Sequence, residues 1–438
     1  MNSVPIKKLI TEKISGEWGT EPSDTLNGGV AVIRTANFLN TGKIDFSKIV
    51  QREIDPKKVS KKKLMSGDII IEKSGGSPTQ PVGRVVLFDN PDGEVYLCNN
   101  FTSILRPDRE VVHPEYLFYA LFDNHLKGKT LRYQNKTTGI INLKLDNYLN
   151  SEIPLPALDD QKRIAHLLGK VEGLIARRKQ HLQQLDDLLK SVFLEMFGFR
   201  DQTYTKWSVD KLAIHTEVVS GVTKGKKYKT EDLIEIPYMR VANVQDGHFV
   251  LDEIKTILVT QKEIDQYQLQ SGDLLLTEGG DPDKLGRGSV WESQIERCIH
   301  QNHIFRVRIN DLTELNPYYL SALIGSRYGK SYFLKSAKQT TGIASINSTQ
   351  LKNFPVVIPP TDLQNQFAAI VEKVEGLKSR YQQSLTDLES LYGALSQKAF
   401  KGELDLSRVV LTTEVTESTE ATNHERHEKH ESKTGVAV

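Results

Sequence analysis

Cysteine is almost missing: Cys98 and Cys298 are the only two in 438 residues. Two thiols so far apart exclude a disulfide scaffold and lack the clustered spacing of a zinc site, and they suit a reducing compartment as buried thiols. Missing too is any run of about 18 or more apolar residues, so no segment reads as a membrane-spanning helix. The opening MNSVPIKKLI has none of the apolar stretch of a secretory signal, and the expectation is a cytoplasmic protein with no membrane contact. Net charge is nearly absent, with 57 Lys and Arg against 56 Asp and Glu. That balance conceals a split: Asp405 to Val438 holds seven acids against Arg408, Arg426, Lys429 and Lys433, a net −3 that leaves +4 for the rest. A charge of +4 is mild for a nucleic-acid binder, so such a role must rest on local patches or on partners that bring more charge. Two patches stand out, Lys57, Lys58, Lys61, Lys62 and Lys63, and later Lys224, Lys226, Lys227 and Lys229. A solvated face is the plain reading of either run.

What the sequence does have is repetition. SGDIIIEKSGG at Ser66–Gly76 returns as SGDLLLTEGG at Ser271–Gly280, and Ile33-Arg34-Thr35-Ala36-Asn37 as Met239-Arg240-Val241-Ala242-Asn243. Val82-Gly83-Arg84 returns as Leu285-Gly286-Arg287. His113-Pro114, Thr137-Thr138-Gly139-Ile140 and Val171-Glu172-Gly173-Leu174 recur with one offset of 203 residues, and earlier pairs drift by a few residues as loop insertions would make them. The period is far longer than a solenoid repeat, so each copy can be a domain of its own.

Within each copy, short apolar runs alternate with turn residues. Asp68-Ile69-Ile70-Ile71 and Asp273-Leu274-Leu275-Leu276 are buried-strand candidates followed by glycine turns, Val85 to Phe88 the next strand, and Glu115 to Phe122 a helix started after Pro114. After a proline-marked strand (Ile153 to Pro156, Val357 to Pro360) the pattern changes to a heptad. Ile164, Leu168, Val171, Ile175, Leu182, Leu185, Leu189, Val192 and Met196 step by fours and threes, with Arg178 in the polar slot. Phe367, Val371, Val374, Tyr381, Leu385, Leu388, Tyr392, Leu395 and Ala399 repeat the pattern around Lys378. Thr361 with Gln364 reads as a capping box, and Gly198 and Gly402 as stops. Each helix of about 40 residues would be about 60 Å long. A lone helix would leave its stripe in water, so the two should pair. Short links through 199–205 favour an antiparallel pair with one globule at each end. The expectation is an α+β chain with approximate two-fold symmetry: a globule over 1–156, a helix over 157–198, a second globule over 199–360, a helix over 361–404 and a disordered acidic tail over 405–438.

The SGDIII glycine turn, TTGI before an Ile-Pro-x-Pro strand, the heptad helix and the closing Ala399-Phe400-Lys401-Gly402-Glu403-Leu404 together resemble the specificity (S) subunit of Type I restriction-modification enzymes, over about residues 4 to 404. The resemblance implies that the globules are target recognition domains, each reading one half of a bipartite sequence in double-stranded DNA, and that the helices set the spacing and dock two modification (methyltransferase) subunits. It implies no catalysis and no cofactor in this chain: S-adenosylmethionine belongs to the modification subunits, and ATP with magnesium to restriction (ATPase/endonuclease) subunits. DNA contacts fall on the glycine turns and TTG loops, where backbone approaches phosphate and short polar side chains reach base edges. In copy one these are Lys73, Ser74, Arg84, Gln134, Lys136, Thr137 and Thr138. In copy two they are Lys284, Arg287, Asn302, Lys338, Gln339, Thr340 and Thr341. Residues shared by both copies cannot explain two different half-sites, so Arg84, Arg287 and the paired threonines lean towards DNA-backbone contact or scaffold, and base reading belongs where the copies differ, such as Lys136 against Gln339. For partner docking, the apolar residues beside the seam are Leu158, Leu167, Leu174, Phe193, Leu363, Ile370, Leu377 and Phe400, with Leu188 and Leu391 as further surface.

Enzymatic signals fail. Gly325 to Ser331 resembles a phosphate loop but has three residues between its glycines where four are needed. Asn316-Pro317-Tyr318-Tyr319 approaches an amino-methyltransferase site, yet His113-Pro114 in the other copy makes a helix start the common explanation. Glu72-Lys73 lacks the spacing of a nuclease pair. His424, His427 and His430 lie in the acidic tail. The rival reading is a non-catalytic coiled-coil scaffold whose globules bind protein or peptide.

Overall fold

Four-residue runs that are apolar on both faces are satisfied only where a strand is covered from both sides. Ile69–Glu72 and Leu274–Thr277 are buried at every residue. Ile69 and Ile71 face one core and Ile70 another; Leu274 and Leu276 divide from Leu275 in the same way. This description rests on a computed structural model covering residues 2–22, 29–77, 79–137, 140–199, 203–228, 232–280, 285–340, 343–409 and 411.

The chain divides into two compact units, the first made of residues 1–176 and 386–438, the second of 177–385. In the first, an antiparallel sheet runs Ile10–Ser15, Thr102–Pro107, Ile69–Glu72, Val85–Leu87, and a three-stranded sheet runs Val50–Arg52, Val30–Ile33, Tyr96–Cys98. The second unit repeats them as Thr216–Ser220, Ile304–Ile309, Leu274–Thr277, Gly288–Val290 and as Lys255–Val259, Ile234–Met239, Ile299–His300. Ser3–Pro5 pairs with Glu152–Pro154 as Ser208–Lys211 pairs with Pro355–Ile358. The helices Pro114–Leu126 and Pro317–Gly325 both begin on proline, where the missing N–H costs nothing.

The duplicated Ser-Gly-Asp is scaffold. Gly67 and Gly272 turn the chain at φ of 92° and 90°, a region open to glycine. The aspartates that follow are both 1% exposed. Asp68 accepts from the Met65 N–H at 2.8 Å and holds Arg106 at 3.0 and 2.9 Å; Asp273 accepts from the Gln270 N–H and holds Arg308 through two bonds of 2.7 Å. The hydrogen bond to its aspartate leads in raising the pKa of each arginine. Asn37 and Asn243 likewise close their turns, accepting from the N–H of Arg34 and Arg240 and donating to carbonyls of the following loop.

The heptad segments form helices Leu158–Phe197 and Thr361–Lys401, each followed by a glycine with positive φ (Gly198 65°, Gly402 76°). In the first unit Ile164, Ala165 and Leu168, at the start of one helix, share a core with Tyr392, Leu395, Ala399 and Phe400 at the end of the other. In the second unit Phe193 and Phe197 lie against Phe367, start against end again. Both units therefore show the antiparallel arrangement. Within the second unit both polar slots of the seam are filled: the Arg178 guanidinium stacks 4.4 Å from the Tyr381 ring centroid, and Lys378 Nζ pairs with Asp186 at 2.8 Å and Glu375 at 2.9 Å.

One glutamine at each helix start joins it to its globule. Gln161 accepts from the His113 N–H at 2.8 Å and donates to the carbonyls of Pro156 and Val111; Gln364 accepts from the Asn316 N–H at 2.9 Å and donates to Pro359 and Glu314. The capping box expected at Thr361 and Gln364 is replaced by these contacts, with Thr361 Oγ1 donating to the Thr313 carbonyl instead. At the chain end, Leu404 and Leu406 pack on the core of the first unit, so packed chain continues beyond the expected boundary at 404. Residues 412–438, with the tail histidines, lie outside the described residues. Replacing Gln364 by Leu leaves a buried N–H and two carbonyls unpaired, and should cost about 1–3 kcal/mol, read as a lower urea midpoint; an unchanged midpoint would show that the pin is dispensable.

Candidate nucleic-acid interface

Directly after each buried strand the backbone crosses into a small three-stranded sheet. In the first unit Ser74–Gly76 pairs with Ile140–Leu143, which pairs with Gln134–Thr137; in the second, Gly279–Gly280 pairs with Ile343–Ser345, which pairs with Lys338–Thr340. The glycine turn and the TTG hairpin, far apart in sequence, are thus hydrogen-bonded into one element in each copy.

The expected contact residues divide by environment. Ser74 Oγ bonds Asn142 Oδ1, and Gln134 Nε2 donates to the Val82 carbonyl at 3.3 Å, so both side chains serve the small sheet and its neighbour. Lys73 is half-buried, with Nζ 3.0 Å from Ser15 Oγ, and burial lowers its pKa. Asn302 sits in a turn held by its N–H on the Val222 carbonyl at 2.9 Å, and Lys338 is exposed. Lys136, Thr137, Gln339 and Thr340 lie on strands of the small sheets, but their side chains, and the whole of Thr138, Lys284 and Thr341, lie outside the described residues. Sequence reading missed Glu278 and His303, which pair at 2.7 Å beside the second glycine turn. The signal was available: Glu278 occupies the position of Lys73 in the repeat.

Arg84 and Arg287 share a motif but not a role. Arg84 binds Glu72 at 2.8 and 3.0 Å and reaches the carbonyls of Thr35 and Phe38, with its side chain 12% and that of Glu72 3% exposed. A guanidinium so committed is scaffold. In the second copy Thr277 replaces Glu72, and the half-buried Arg287 has a buried Nε without a partner among the described residues. The one motif thus sits in two environments, with a carboxylate partner in the first copy and none for the buried Nε, among the described residues, in the second.

The lysine patches are half spent. Lys58 and Lys62 of the helix Pro56–Lys62 pair with Glu17 at 3.4 and 2.9 Å. In the second unit the charges are exchanged: the loop supplies Lys226 and the helix Gln261–Tyr267 supplies Glu263, at 2.6 Å. Burial raises the Glu263 pKa, yet hydrogen bonds from Lys226, Thr260 and Tyr228 bring it down to about 2. Lys57, Lys61 and Lys63 in one unit, and Lys224 and Lys227 in the other, remain exposed.

On the long helices, Phe193 is corrected from partner surface to core: it is 3% exposed, stacked on Phe199 and edge-on to Phe367. Leu363 and Phe400 also pack on the cores of their own units. Leu158, Leu167 and Ile370 are half-buried, whereas Leu174, Leu188, Leu377 and Leu391 are 42–48% exposed.

Removing Arg84 leaves a buried carboxylate uncompensated, and Arg84→Ala should destabilise by about 3–5 kcal/mol. Arg287→Ala should stay within about 0.5 kcal/mol of the parent. Denaturation of the two variants side by side checks this, and equal losses would overturn the division of roles.

A family model described as the Type I restriction modification DNA specificity domain matches residues 10–186 and again 215–387. The EcoKI specificity subunit of Escherichia coli is 25% identical over 84% of this chain and 81% of its own length, and the StySPI specificity subunit of Salmonella potsdam is 25% identical with the same coverage. Among solved structures, the S subunit from M. genitalium aligns at a TM-score of 0.54 with 16% identity, covering 91% of this chain and 96% of that one. A chain from a study of assembly and conformational transition in the type I R-M system aligns at 0.53 with 18% identity, covering 92% and 98%. These structural likenesses carry the fold, and the twice-matched model carries the family: with two such domains in tandem, this chain belongs to the Type I restriction-modification DNA specificity family.

Proposed function

We propose that the chain is the non-catalytic recognition subunit of a cytoplasmic Type I restriction-modification complex, each unit reading one half of a bipartite duplex target. The observation that carries this reading is the contrast inside the duplication. Buried contacts at Asp68 and Asp273, Asn37 and Asn243, and Gln161 and Gln364 are repeated bond for bond. The residues around the small sheets are not: Lys73 in one copy corresponds to Glu278 in the other, and Arg84, paired with Glu72, corresponds to Arg287, whose Nε has no partner among the described residues. One frame carrying two different polar surfaces suits a reader of two different half-sites. The mild charge suits a subunit whose partners supply phosphate contacts, and among the described residues no helix is long and apolar enough to cross a membrane.

The exposed helix faces suit two modification subunits. Leu167, Leu174 and Leu188, with Ile370, Leu377 and Leu391, lie at multiples of seven residues outside the seam and form an apolar series on each helix, interrupted at the intervening heptad positions by His181 and Ser384. Methyl transfer from S-adenosylmethionine and ATP-driven cleavage with magnesium then belong to those partners and to the restriction subunits, and this chain holds no cofactor.

Methylome mapping of a host with and without the gene tests the reading: one bipartite motif should disappear on deletion, and an unchanged methylome would refute it. In the same host, Leu167→Asp combined with Ile370→Asp should abolish co-purification of the modification subunit, since charge on an apolar docking face costs several kcal/mol. Retention at parental level would remove this face from the interface.

A further inference from the structure

One backbone position is held identically in both units and carries opposite chemistry. The Lys73 N–H donates to the Phe101 carbonyl at 2.9 Å and its own carbonyl accepts from the Leu143 N–H at 2.8 Å; the Glu278 N–H donates to the His303 carbonyl at 3.0 Å and its carbonyl accepts from the Ile346 N–H at 2.9 Å. Both positions join the buried strand to the small sheet, immediately before the glycine turn. In the first unit the position carries a half-buried lysine whose ammonium lies 3.0 Å from Ser15 Oγ. In the second it presents a carboxylate, 33% exposed, steadied by His303, itself 57% exposed. The frame needs neither pair, because each unit folds with the other's chemistry absent.

The surroundings follow the same exchange. Near Lys73 lie Lys13, on the strand Ile10–Ser15, and Lys62, at the end of the helix Pro56–Lys62. Near Glu278 the turn at Asn302 bonds the Val222 carbonyl, and the chain leaving Val222 is the loop of Lys224, Lys226 and Lys227. An exposed carboxylate on a surface that meets phosphates is repelled unless a base amino group pays for it, and lysines beside it can carry the backbone contacts.

Resting on the reading above, we infer that Lys73 and Glu278 are the equivalent specificity-determining residues of the two units, Lys73 donating to the O6/N7 edge of guanine and Glu278, oriented by His303, accepting from the N4 amino group of cytosine. A lost contact of this kind relaxes discrimination at one base pair by about 10-fold or more without moving the rest of the motif.

The full chain, co-expressed with its modification subunits, tests this by methylome mapping of the parent, Lys73→Met and Glu278→Gln. The amide of the second variant keeps shape and one acceptor, so folding is preserved while charge is removed. Each variant is expected to turn one specified base pair degenerate, Lys73→Met in one half of the motif and Glu278→Gln in the other. Unchanged motifs, or both changes in the same half, would overturn the inference. So would a uniform fall in affinity for Lys73→Met with the motif intact and the salt slope reduced by about one, since that is a phosphate contact. Failure of the parent to give any bipartite motif would instead defeat the proposed function, which keeps the two conclusions separable.

Discussion

Each unit closes its core with a helix end donated by the other copy. Ala399, fully buried, sits among Ile164, Ala165 and Leu168, which follow the first globule in sequence; Phe193 and Phe197 fill the corresponding place against Phe367 in the second unit. Removing large aromatic side chains from such a site costs about 3–5 kcal/mol each, comparable with the whole stability of many domains. The seam is therefore part of both cores, and the glutamine pins at 161 and 364 fix how each globule meets its helix.

On that shared frame, duplication separates what folding needs from what varies. The buried Asp–Arg pairs and the asparagine turns are the same in both copies because an unpaired buried charge or amide is expensive. The exposed joints beside the small sheets are free of that constraint. There the exchange of Lys73 for Glu278 changes the surface at little cost to the strands beneath, which stay buried at every residue.

Much of this was legible in the sequence. The triplets of Ile and Leu, Pro114 and Pro317, the heptads and the glycine stops each carry a local physical signal, and the repeat doubled every one. Four things were hidden because they depend on partners distant in sequence. Phe193 reads as surplus apolar surface until Phe199 and Phe367 surround it. Gln364 reads as a capping residue until the carbonyls of Pro359 and Glu314 come within reach. Arg84 and Arg287 read as one motif until Glu72 occupies one of them. The joining of the glycine turn and the TTG hairpin into one sheet was likewise invisible, since strand pairing between Gly76 and Ile141 has no local cue.

The division of the chain also sets an order of birth. Residues 177–385 are continuous, whereas the first unit needs 386–409 to cover Ile164 and Leu168. A ribosome delivers every core residue of the second unit before Ala399 exists, so the half made first must wait with an open apolar flank while the half made later closes. Nascent chains stalled short of Ala399 would thus expose the older globule to chaperones and proteases, and release of the final residues is the event that seals it.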